Sequence, residues 1–172
     1  MKLHGTIGPA RTTYSAVAKK AGVQRATVYR HFPTEEKLFE ACTAQYWARH
    51  PQPDPREWAN LADPTERLRH GLSEVYRFYG DTEPMLERTS RDASLVPAME
   101  APRELFFAYL ESLREALLRG RPERGRARAR AAAAIGHALA FPTWRSLTRD
   151  QGLDDSEAVE LMARMVSSAS RR

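Results

Sequence analysis

Cysteine is almost missing from this sequence. Cys42 stands alone among 172 residues, which excludes an internal disulfide and any multi-cysteine metal site. No apolar run reaches the roughly 18 residues that a membrane-spanning helix needs. Nor does a basic start followed by an apolar stretch mark a secretory leader. The expected location is the cytoplasm, with no membrane partner. Strict apolar–polar alternation, the mark of a half-buried strand, is absent, and no segment repeats. The motifs of catalysis are missing too. "GTIGPA" at Gly5–Ala10 lacks the Lys-Ser/Thr and the flanking strand of a phosphate loop. There is no paired-carboxylate pattern, no HExxH and no nucleophile elbow. We therefore expect no enzyme, no cofactor and no metal.

What is present is helix-forming and unevenly charged. Hydrophobic residues make up 42% of the chain, enough to build a core, and Ala, Leu, Arg and Glu favour helices. The net charge of +5 conceals a segregation. Residues 1–50 hold eight Lys/Arg against three Asp/Glu, residues 51–118 eight against thirteen, and residues 119–130 six against one. A basic start suits a polyanion, whereas the acidic middle does not.

Helix signals run through the whole length. Thr12-Thr13 ahead of Tyr14, Val17, Ala18 and Ala21 reads as a capped helix with one apolar stripe, broken at Gly22. A second short helix runs from Gln24 or Arg25 to His31, and Thr34 caps a third through Leu38, Phe39, Cys42 and Tyr46. Pro51, Pro53 and Pro55 stop it. The expected domains are therefore 1–50 and 51–172. In the second, periodicity predicts helices over about 64–80, from Pro84 as a first-turn residue, through the stripe Leu105, Phe106, Tyr109, Leu110, Leu113 and Leu117, and from Arg126 with a kink at Pro142. A last helix starts near Asp155. The fold class is all-α.

Two short helices joined by a Gly turn make a helix-turn-helix, with Ala18 permitting a close crossing and Val23 and Val28 filling the shared core. The outward face of the second helix carries Gln24, Arg25, Thr27 and Arg30, side chains able to reach base edges in a major groove. Tyr29, His31 and the Thr13 hydroxyl suit phosphate. With Tyr14 and Ala26 beside them and Lys37 on the next helix, these residues form the expected DNA-binding set. "RGRP" at Arg119–Pro122 spells the core of an AT-hook, but Glu123 interrupts it and it lies between two core helices, so we read it as a basic loop. Cys42, beside Leu38 and Phe39, reads as a structural thiol.

The stretch "TTYSAVAKKAGVQRATVYRHFPTEEKLFEA" resembles the DNA-binding domain of the TetR family of transcriptional regulators, including its Tyr-x-His-Phe signature. The resemblance covers about residues 4–48. It implies a larger all-α domain behind, binding a small effector and dimerising through its last two long helices, and a near-palindromic double-stranded operator. Two departures stand out. Only Met1, Lys2 and Leu3 precede the Gly-rich segment His4–Gly8, so the family's first helix is nearly absent. Val17, Val28 and Phe39 are then expected to be partly wet, at a cost on the order of 5 kcal/mol. Either the true start lies upstream or the domain is compromised. Glu35 also stands where the family usually has a phosphate-contacting Lys, which implies a weaker backbone clamp.

Effector candidates are the aromatic residues Tyr76, Tyr79, Phe106, Tyr109 and Phe141, with Trp144 nearby, and His137. The dimer is expected through residues 126–145 and 154–170, where Ala131–Ala134 permit close approach and Met162, Met165 and Val166 fill gaps. The expected function is a homodimeric DNA-binding regulator, a repressor released by its effector. The alternative is a dimeric ligand-binding module that has lost DNA binding through truncation at its N-terminus.

Overall fold

Threonine hydroxyls start the two helices that frame the basic N-terminal segment. Thr13 Oγ1 accepts from Ala16 N at 3.2 Å and Thr34 Oγ1 from Lys37 N at 3.4 Å, each satisfying an amide that a helix start leaves unpaired. The computed structural model describes residues 4–170, and these are helical with no strand among them. Helix α1 is a single turn, His4–Ile7, followed by a 3₁₀ turn at Pro9–Arg11. Next come α2 (Tyr14–Ala21), α3 (Arg25–His31) and α4 (Glu35–Trp47). A 3₁₀ turn at Glu57–Asn60 leads into the long α5 (Pro64–Asp92), then a turn at Pro97–Met99 into α6 (Glu100–Leu118). Helix α7 (Gly125–Ala138), the short α8 (Phe141–Arg145), a π-helical stretch Ser146–Asp150 and α9 (Asp155–Ser170) complete the order. No helix among the described residues is long and apolar enough to cross a membrane.

The residues pack as two units. One is the chain up to Pro51 together with Thr82–Phe106; the other is Gln52–Asp81 with Phe107 onward. In the first, Tyr14, Ala18, Val28 and Leu38 form a core to which Val17, Phe32 and Cys42 are added. Burial pushes the Cys42 thiol up. Phe39 joins a second cluster with Val96, Ala98 and Met99. Val28 and Phe39, expected to be partly wet, are thus 5% and 6% exposed, while Val17 is half-buried. The cover for Phe39 comes from the turn before α6, more than fifty residues away in sequence. Val23, expected in the core, is 43% exposed. It follows Gly22 in the left-handed conformation (φ 69°) and its amide bonds back to Ala18 O at 3.1 Å, so the turn directs its side chain outward.

In the second unit α5 and α6 supply Leu68, Leu72, Val75, Tyr76, Tyr79, Leu113 and Leu117, and Trp58, Ile135 and Trp144 close the core, each essentially inaccessible. Arg67 is buried without a carboxylate. Its guanidinium donates to the carbonyls of Leu61 and Ala62 ahead of α5 and of Ala116 and Arg119 at the end of α6.

Two helix expectations are corrected. Pro84 does not open a helix but lies inside α5. The carbonyl it fails to pair, four residues back, belongs to exposed Gly80, where water can serve it. Leu105, expected on the core stripe of α6, is 71% exposed. The buried line of α6 begins further along the helix, at Leu113 and Leu117, while Leu105 has no cover.

The break expected at Pro142 is present, and its chemistry is visible. Proline cannot donate to the carbonyl of Ala138, and Thr143 N turns to Ala140 O at 3.0 Å, leaving Leu139 O unpaired by the helix. Tyr76 donates its hydroxyl to Ala138 O at 3.0 Å and Tyr79 to Leu139 O. Two phenols replace two missing backbone donors.

Candidate nucleic-acid interface

Sequence places no Asp or Glu before Glu35, so every charged side chain of α2 and α3 is positive. Neither helix has an acid in its first turn, and Lys19, Lys20, Arg30 and His31 lie in their last turns. Val28 anchors α3 from beneath at 5% exposure. Gln24, Arg25, Ala26, Tyr29, Arg30 and His31 then face outward and Thr27 is half-buried. The helix presents one continuous exposed face of amide, guanidinium, phenol and imidazole groups. That is the donor and acceptor set needed for base edges and phosphates.

The face is braced from inside. Tyr14 is 6% exposed, and its hydroxyl donates to Phe32 O at 2.8 Å, tying the start of α2 to the end of α3. Its ring stacks on Tyr29, centroids 4.1 Å apart and planes within 5°. Burial first, then the neighbouring Tyr29, pushes the Tyr14 phenol up. Arg25 Nη2 donates to the Tyr29 hydroxyl at 2.8 Å, and its guanidinium lies 5.2 Å from the same ring. Tyr14 therefore sits under the exposed α3 face as its support rather than on it. Thr13 is exposed, with its hydroxyl engaged as the α2 cap.

A cleft of about 350 Å³ opens beside this face, walled by Pro9, Ala10, Thr12, Thr13, Ser15, Arg25 and Tyr29 and floored by Phe39 and Val96. Glu35 also lines it. Lys37 is exposed but paired with Glu40 at 2.9 Å, and that hydrogen bond raises the ammonium above its ordinary value. The start of α4 thus adds little positive charge.

The effector candidates are not all brought together. Tyr76, Tyr79 and Phe141 meet in the second unit, Tyr79 lying 5.4 Å from Phe141 and 6.5 Å from Tyr76 between centroids. Both tyrosines are fully buried with their hydroxyls engaged. Burial drives both phenols far up, as it does Tyr109, whose hydroxyl donates to Pro53 O at 3.0 Å. His137 is exposed, its Nδ1 3.4 Å from Thr143 Oγ1. Phe106 belongs to the other unit, where it stacks on Trp47. Trp144 is core, its indole donating to Asp155 at 2.9 Å.

Asp92 was invisible to sequence reasoning. It lies at the end of α5 and accepts from Ala10 N at 3.1 Å. No local pattern announces a bond between residues 82 positions apart.

The comparisons with known proteins agree with this geometry at the N-terminus. Residues 1–42 match the family model described as bacterial regulatory proteins, tetR family. No curated protein and no solved structure matches the chain. The matched span includes all of α2 and α3 and most of α4. Residues 1–42 are therefore similar to the N-terminal helix-turn-helix domain of TetR family regulators, the DNA-binding part of those proteins.

Proposed function

We propose that this chain is a DNA-binding transcription regulator, a homodimeric cytoplasmic repressor that α3 seats in successive major grooves of a near-palindromic operator and that a small effector releases. The observation that carries the reading is the α3 face: Gln24, Arg25, Ala26, Tyr29, Arg30 and His31 are all outward, in a segment free of acids. Arg25, Gln24, Thr27 and Arg30 read bases, while Tyr29, His31 and the Thr13 region hold phosphates.

Dimerisation is supported by α7 and α9. They pack along one another, with Ala131, Ile135, Met162 and Val166 buried between or beside them. Leu161 and Met165 of α9 remain 39% and 47% exposed, an apolar pair that a second copy would cover. Effector release and repression follow the family resemblance, and an effector site in the second unit is part of the same reading.

The test is a titration of the 172-residue chain onto labelled duplex from its own promoter region and onto a scrambled duplex, at two salt concentrations. Promoter preference, with affinity falling as salt rises, is the expected result. Equal weak binding to both duplexes would favour instead a dimeric ligand-binding module that no longer grips DNA. Glu35 on the cleft and the Lys37–Glu40 pair are the features pointing that way.

A further inference from the structure

Two hydrogen bonds and one close approach join the last turns of α5 to the segment leading into the helix-turn-helix. Asp92, 3% exposed, accepts from Ala10 N at 3.1 Å. Its other oxygen accepts from Arg91 Nε at 2.7 Å, and that arginine is largely solvent-facing. Arg88 Nε donates to Thr6 O at 3.1 Å while its Nη1 is held by Pro84 O at 2.7 Å. Gly8, with φ 88°, lies so close that a Cβ there would fall 2.3 Å from Asp92 Oδ2 and 2.5 Å from Arg91 Nη2. The backbone angle favours glycine, and a Cβ there would have to push the Asp92 and Arg91 side chains out of the clasp.

From this clasp a chain of hydrogen bonds leads into α2. Thr12 Oγ1 and Thr12 N close on Gly8 O and Pro9 O at 2.8 and 2.9 Å. Thr13 N bonds to Arg11 O at 3.2 Å, and Thr13 caps α2 through Ala16 N. The same turn walls the cleft that Arg25 and Tyr29 share. A buried carboxylate supported by one amide and one exposed arginine is a costly way to gain stability. The bond it makes is directed at one backbone position, which fixes where α2 begins.

We propose that Asp92 is a positioning residue for DNA reading: its carboxylate clasps the Pro9–Arg11 turn, sets the cap of α2 and so holds Thr13, Tyr29 and Arg25 in register. It touches no DNA itself and acts through the turn. The inference rests on the DNA-binding reading above.

The experiment uses the full chain. A duplex is first selected from a random pool by the wild-type protein. Asp92→Ala, Asp92→Asn, Gly8→Ala and, as a control, Leu86→Ala are then compared on that duplex and on a random one, at a temperature where every variant is folded by circular dichroism. Leu86 is a buried residue of the same helix and unit that makes none of the clasp's bonds. Asp92→Ala is expected to bind the selected duplex about tenfold more weakly and the random one within about twofold of wild type. Amide exchange at Ala10, Thr12 and Ala16 should quicken, with Leu38 unchanged. Asp92→Asn, which keeps an oxygen for Ala10 N, should fall between. Leu86→Ala should bind as wild type does. If Asp92→Ala fails to fold, Asp92→Asn and Gly8→Ala carry the same criterion. Wild-type affinity in the clasp variants, or a loss matched by Leu86→Ala, would overturn the proposal. A wild-type chain that selects no duplex would overturn the DNA reading itself, before any variant is made.

Discussion

The helix-turn-helix and the α7–α8 corner solve the same problem, a short helix ended abruptly, by opposite means. In the first, α2 and α3 have eight and seven residues and share a core of a few side chains. Local devices set their limits: Thr13 starts α2, the Gly22 turn ends it, and Thr34 starts the helix that follows α3. In the second, the carbonyls opened by Pro142 are met by Tyr76 and Tyr79 from a helix some 60 positions away in sequence. On the proposed reading α3 leaves one whole face bare for DNA, so it has little apolar area to bury and depends on braces such as Tyr14. A core corner has no such duty and can be sealed with aromatic mass. The teaching is that exposure for function shifts stability from packing to local hydrogen bonds and to supporting contacts such as Val96, Met99 and Asp92.

The largest effect should come from breaking the core side of that contrast. Trp144→Ala removes a fully buried indole and its bond to Asp155. It is expected to cost about 3–5 kcal/mol, read as a fall in thermal midpoint or a loss of soluble folded protein. Tyr79→Phe keeps the ring and strips only the donor from Leu139 O. A loss of about 1–3 kcal/mol in chemical denaturation is expected for the orphaned buried acceptor, with promoter binding unchanged while the chain is folded.

On the reading side the variants should leave stability nearly alone and change recognition. Arg25→Ala is expected to loosen base preference by about 1–3 kcal/mol of discrimination, whereas His31→Ala should weaken promoter and scrambled duplexes alike. Equal losses for both variants on both duplexes would show the roles to be misassigned. Thr34→Ala removes the cap on Lys37 N and should cost about 1 kcal/mol, measurable by thermal melting.

A smaller, pH-dependent difference sharpens the comparison. The Arg91 hydrogen bond, helped by Ala10 N, holds the Asp92 carboxyl below its ordinary value of 3.8. A carboxyl depressed in the folded state contributes stability that is fully present above its unfolded value and is lost as pH falls through the folded one. The stability gap between wild type and Asp92→Asn should therefore be constant from neutral pH down to about 5 and shrink below about 4. A gap that stayed unchanged to the lowest pH at which the protein folds would show that the charge on Asp92 contributes nothing.

Much of this molecule was legible because its signals are local. A threonine before an apolar period, a glycine after it and prolines beyond it act within one or two turns, and they placed α2, α3 and α4 closely. Charge was equally legible: the acid-free start is simply written in the chain. The polar, cationic face of α3 followed from these two facts and from the 3.6-residue period that buries Val28. The aromatic candidates for an effector were harder. Periodicity places Tyr76 and Tyr79 on one face of α5 but does not show what their hydroxyls meet. In the structure they meet backbone carbonyls.

By itself, then, the sequence determined that the chain is helical, where its short helices start, and which face of α3 is polar and cationic. Each of these depends on neighbours a few residues apart. Tertiary structure alone decided that Pro84 lies within a helix, that Val96–Met99 covers Phe39, that two phenols close the gap at Pro142 and that Asp92 grips Ala10. These partners are tens of residues apart. Their pairing follows from burial, which makes every unpaired polar group costly, and no short pattern can record which distant group will supply the missing bond.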